Sequence, residues 1–122
     1  MTQEEKELLF KDLCGRLPYG VQLKCVKSVS ALWGHDITLD THWLNKLQSP
    51  FHEFKPYLFP LSSMTEEQGK IYHELIRGMF GTNALINFEL LEEFFNKNHI
   101  DYRGLIPMGA AIDATNLGIY GK

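Results

Sequence analysis

Apolar and polar positions change period several times along this chain, and each change marks a predicted element. Thr2-Gln3-Glu4-Glu5 has the form of a capping box, Thr2 accepting from a first-turn amide and Glu5 reaching back. Leu9, Phe10, Leu13, Cys14 and Leu17 then recur at helical spacing, which places Glu5, Lys6, Asp12 and Arg16 on the outer face. Early acids and a late Arg16 suit the helix dipole, and Pro18 stops the run because the residue before proline avoids the helical region. The pattern predicts a helix over 3–16.

After Tyr19-Gly20 the period falls to two. Val21, Leu23 and Cys25 alternate with Gln22, Lys24 and Val26; Val29, Ala31 and Trp33 alternate with Ser30, Leu32 and Gly34; Ile37 and Leu39 alternate with Thr38 and Asp40. With turn signals at Lys27-Ser28 and Gly34-His35-Asp36, this predicts a three-strand antiparallel meander. Thr41 to Leu47 fits either a helical turn or a strand end. From Gln48 to Ser63 three prolines punctuate a loop region, with room for one short strand near Tyr57–Phe59. Its phenylalanines and tyrosine make it too apolar for a linker, so it should lie on the core.

Thr65-Glu66-Glu67-Gln68 is a second capping box, and Ile71, Tyr72, Leu75, Ile76 and Met79 form a helical face ending near Gly81. That predicts a helix over 66–79. Thr82-Asn83 reads as a turn and Ala84-Leu85-Ile86 as a short strand closing the sheet. Asn87 then caps a third helix carrying Phe88, Leu91, Phe94 and Phe95, with Glu89, Glu92 and Glu93 outside, to about Asn98. The expected fold is α+β: a small antiparallel sheet of three to five strands flanked by three helices. The whole chain, 1–122, reads as a single domain. Residues 106–122 read as a loosely ordered tail unless Ile112, Leu117 and Tyr120 dock.

Composition narrows the function classes. Apolar residues make up 44% and charged residues 22%, with a net charge of −3, ordinary for a soluble globule and unlike a basic nucleic-acid binder. Cys14 and Cys25 form neither a disulfide framework nor a CxxC site. Glu4, Glu5 and Glu7 stand where a secretory leader would be apolar, and no run is long enough to span a membrane, so a cytoplasmic setting is expected.

Three stretches carry a resemblance. They are Met1-Thr2-Gln3-Glu4-Glu5 with Asp12-Leu13-Cys14-Gly15-Arg16-Leu17-Pro18-Tyr19-Gly20-Val21; Lys55-Pro56-Tyr57-Leu58-Phe59-Pro60-Leu61-Ser62-Ser63-Met64-Thr65-Glu66-Glu67; and Asn98-His99 followed by Asp101-Tyr102-Arg103-Gly104-Leu105-Ile106. In this order, over roughly half the chain, they resemble a family of short proteins of unknown function from gut anaerobic bacteria and their phages or mobile elements. The chain departs from that family at Ile100, where phenylalanine is common, at Phe59, where a basic residue is common, and across Gln22–Glu53. The resemblance implies no catalytic or binding residues.

His73-Glu74-Leu75-Ile76-Arg77 approaches a zinc-protease helix, but Arg77 holds the second ligand position and a guanidinium does not bind zinc. His35, Asp36, Asp40, His42 and His52 match no tetrahedral spacing, and both residue types are ordinary in turns. Cys14 and Cys25 both fall on predicted buried faces, where cysteine acts as a small hydrophobe. Ser62-Ser63 lacks a nucleophile elbow, and no glycine loop cradles phosphate. The expectation is therefore no catalytic residue, no metal and no cofactor.

Candidate binding residues remain. Arg103, with Tyr102 and Asp101, can hold a phosphate or carboxylate; its structural reading is a tie to the preceding helix end and to Asp101. Trp33 and Tyr57, with Trp43, Phe59 and nearby lysines, can form a stacking surface for single-stranded nucleic acid; the structural reading is an aromatic core with lysines guarding strand edges. The favoured expectation is a non-catalytic, phage-type domain that binds an unknown protein partner. A small nucleic-acid-binding domain and an enzyme with an unrecognised site are the alternatives.

Overall fold

The computed structural model describes residues 2–47, 49, 51–78 and 84–120, with the backbone alone for 84–87. The fold is α+β. Helix α1 (Gln3–Arg16) starts at the predicted cap, where the Glu5 amide donates to Thr2 Oγ1 at 3.1 Å. Strands β1 (Gln22–Ser28) and β2 (Asp36–Thr38) form an antiparallel pair, and β1 also pairs antiparallel with the nine-residue β3 (His52–Pro60), with a bulge between Cys25 and Lys27. Between β2 and β3 lies the short helix α2 (Thr41–Lys46), capped by Asp40, whose carboxylate accepts from the Trp43 amide at 3.0 Å. Helices α3 (Glu66–Gly78) and α4 (Ala84–Lys97) follow. Two short strands, β4 (Ile100–Asp101) and β5 (Ile112–Asp113), then pair in parallel with β3.

The sheet is thus mixed rather than antiparallel throughout. The two helices between β3 and β4 supply the long crossover that a parallel pair requires. The expected middle strand of the meander, Val29 to Trp33, is a turn. Ser28 and Ser30 offer hydroxyls to the amides of Ser30 and Leu32, at 3.1 and 3.3 Å, which holds this segment in local bonds instead of a ladder. Its place beside β1 is taken by β3, in the region read as loop; the short strand expected near Tyr57–Phe59 is the end of this longer one. Pro56 is tolerated there because it is the last β3 residue in register with β1. Ala84 to Ile86 belongs to α4, not to a strand, and Asn87 lies inside that helix. Ala84, Phe88, Leu91 and Phe95 share one helical period. Met79, the Gly81 stop, the Thr82-Asn83 turn and Pro50 lie outside the described residues.

One core joins Leu9 and Leu13 of α1 to Leu23 and Cys25 of β1 and to Phe54 and Leu58 of β3. A second gathers Leu91, Phe94 and Phe95 of α4 with Ile100, and Tyr72, Leu75 and Ile76 of α3 lean on it. The segment from 106 onward is docked through Ala110, Ala111 and Ala114, all buried, and through Tyr120, whereas Leu117 is exposed. No described helix is long and apolar enough to cross a membrane.

Candidate functional site

Asp101, Tyr102 and Arg103 follow α4 directly and are held from within. The buried Asp101 carboxylate accepts from the amides of Leu105 and Ile106, both at 2.9 Å, and Gly104 takes a left-handed φ of 76° that closes the turn. Tyr102 stacks on Phe95 with ring centres 5.0 Å apart, and Arg103 lies over the Tyr102 ring at 4.9 Å. Arg103 Nε donates to Asp12 Oδ1 at 3.2 Å, so its acid partner is Asp12 rather than Asp101. Beside it, Arg16 Nη2 donates to the Ile100 oxygen of β4 at 2.7 Å.

Arg16 and Asp12 correct the reading of α1. Both were placed on the outer face, yet Asp12 is 1% and Arg16 0% exposed, joined at 2.7 Å. Cys14, placed on the buried face, is exposed. The buried stripe is Leu9-Asp12-Leu13-Arg16, spaced i, i+3, i+4, i+7, and polar residues fill two of its four positions. Two arginines converging on one carboxylate make a structural knot that fastens α1 to the turn after α4.

The other two candidates sit apart from that knot. Tyr57 is buried on β3, its hydroxyl donating to Asp36 Oδ1 at 2.7 Å. Trp33 is exposed on the β1–β2 turn, while Trp43 packs edge-on against Phe54 and Phe59 lies against Tyr120. The four aromatic residues do not share one stacking surface. The histidine and acid positions are also separately employed: His52 Nδ1 bonds Ser28 Oγ at 2.8 Å, Asp36 takes Tyr57, and Asp40 caps α2. Among the described residues no three His, Cys, Asp or Glu side chains gather to hold a metal.

Sequence reasoning passed over a concave surface between α3 and α4. Thr65 and Gln68 cap α3 reciprocally, Gln68 N donating to Thr65 Oγ1 at 3.1 Å and Thr65 N to Gln68 Oε1 at 3.0 Å. Gln68 Nε2 also donates to Asn98 Oδ1 at 3.2 Å, tying the start of α3 to the end of α4. The helices run antiparallel from this tie and leave a groove of about 620 Å³ between them. Ile71, Leu75, Leu90 and Phe94 form its floor, and Glu67 and Glu93 stand on its rim. Ile71 is 43% and Leu90 45% exposed. No residue of α3 is fully buried, although its apolar face is continuous. The legible signal was an excess of apolar positions: Leu90 lies off the Phe88, Leu91, Phe94, Phe95 stripe, and Ile71 widens the α3 face beyond what α4 covers.

Comparison with known protein families, curated proteins and solved structures finds no match to this chain.

Proposed function

We propose that this chain is a non-catalytic protein-binding domain of phage or mobile-element type, acting in the cytoplasm, and that the α3–α4 groove is the surface it presents. The observation that carries this reading is the half-covered apolar face of α3, opening with Leu90 into a groove. A contiguous exposed apolar surface with a polar rim is the usual mark of a partner site. The side chains first suspected of binding support it by default. Arg103, Tyr102 and Asp101 are spent on fastening α1 and the 105–106 turn, and Tyr57 on Asp36. The nucleic-acid alternative has less behind it, because glutamates edge the groove and only Trp33 of the aromatic set stands well out of the protein.

Affinity capture with the tagged chain from a lysate of its native cell, with and without nuclease, tests the reading. The expected result is a stoichiometric protein partner that survives nuclease and is lost with Ile71→Asp/Leu90→Asp. Both positions are exposed, so the variant should keep its native circular dichroism and melting temperature within a few degrees. Recovery that vanishes with nuclease, or that ignores the double substitution, refutes it.

A further inference from the structure

We infer that the α3–α4 groove takes a basic amphipathic helix of a partner protein, an inference that rests on the protein-binding reading above. The shape of the site favours a helix. Both walls are helices whose main-chain groups are spent internally, so the groove has no strand edge to extend and recognition falls to side chains. Ile71 and Leu75 lie one turn apart on one wall, Leu90 and Phe94 one turn apart on the other. This apolar floor runs for about one turn, roughly 6 Å, within a lining that extends from Glu67 to Leu75 on one wall and from Leu90 to Lys97 on the other, and it suits an incoming apolar pair at i and i+3 or i+4 with charged neighbours a turn beyond.

Charge selects the occupant. Together α3 and α4 carry six glutamates against three cationic side chains, an excess equal to the net charge of the entire chain. Glu67 and Glu93 flank the floor from opposite helices, and Lys97 is the one cation in its lining. A lysine- or arginine-edged helix would set cations beside both glutamates while its apolar stripe covers Ile71 and Leu90. A second copy of this chain would bring glutamates against glutamates, and a nucleic-acid phosphate would meet the same repulsion.

The test uses three synthetic peptides of about four turns: a leucine/lysine amphipathic helix, a leucine/glutamate helix with the same apolar stripe, and a scrambled leucine/lysine sequence. Calorimetric titration of the full chain should give the first peptide at least about tenfold tighter binding than either control. Ile71→Asp and Glu67→Lys/Glu93→Lys should each weaken it by about tenfold or more. Equal binding of the leucine/lysine peptide and either control, or binding indifferent to these substitutions, overturns the inference. So does a dimer of the native chain, seen by light scattering, that Ile71→Asp dissociates. If partner capture depends on Ile71 and Leu90 but the leucine/lysine peptide does not bind, the basic-helix inference falls and the protein-binding reading stands. If neither depends on the groove, both fall.

Discussion

Arg16 has no exposed surface, and its guanidinium is neutralised by Asp12, which also receives Arg103. Removing one member of a buried pair strands the other charge, at a cost of about 3–5 kcal/mol. Asp12→Asn should therefore lower the unfolding free energy from urea titration by an amount in that range, with a lower midpoint, because two arginines lose one anion. Cys14→Ser, two positions away on the same helix but exposed, should stay within about 0.5 kcal/mol. Equal midpoints for the two variants would show that the knot contributes nothing to stability. Binary patterning misassigned this pair because an aspartate and an arginine four apart look like an ordinary surface pair. Only the turn after α4, more than eighty residues away, makes their side inward.

Elements whose signals are local were legible, and those defined by distant partners were not. The bounds of α1 and the reciprocal Thr65–Gln68 cap follow from residues within one turn of each other. By contrast, β3 reads as a proline-broken loop until β1, β4 and β5 are beside it. The serines at 28 and 30 turn an alternating stretch away from the sheet. The groove stayed hidden for a related reason: a sequence shows that α3 has an apolar face but not how much of it α4 covers. The turn at 101–106 is docked on the core, and Asp101 rather than Arg103 is its internal tie. Leu105, fully buried in the main core, anchors it. Leu105→Ala should cost about 2–5 kcal/mol in equilibrium unfolding. An unchanged melting temperature would mean that the turn is not docked in solution.

Across the whole molecule, Tyr120 joins strands that no longer touch. Its hydroxyl accepts from the Gln22 amide at 2.8 Å and donates to the Tyr57 carbonyl at 2.8 Å, completing the ladder just beyond the last β1–β3 pair at Leu23 and Pro56. Burial pushes the Tyr120 phenol from 10.0 up to about 12. Burial and the hydrogen bond to Asp36 push Tyr57 to about 12 as well. Both phenols thus hold their protons more tightly in the folded chain than in the unfolded one. The stability this contributes is fully present below about pH 10 and is lost as the pH rises through about 12. Urea midpoints should fall across that window. Tyr120→Phe should flatten part of the fall, and at neutral pH it should cost about 1 kcal/mol by leaving a half-buried amide and a carbonyl without their partner. A midpoint flat from pH 10 to 12 would rule out the bridge.

The same bridge sets a timetable for the nascent protein. Gln22 and Tyr120 are 98 positions apart. At a ribosomal pace of about 5–20 residues per second, Gln22 precedes Tyr120 by roughly 5–20 s. Once β3 has been made, and until Tyr120 follows, β1 and β3 can pair only up to Leu23 and Pro56, and the open end beyond them exposes an amide and a carbonyl to any passing strand. Chaperone engagement and misassembly during synthesis should therefore concentrate at this junction, and a chain released before Tyr120 should hold a sheet that is paired but not sealed beyond Leu23 and Pro56.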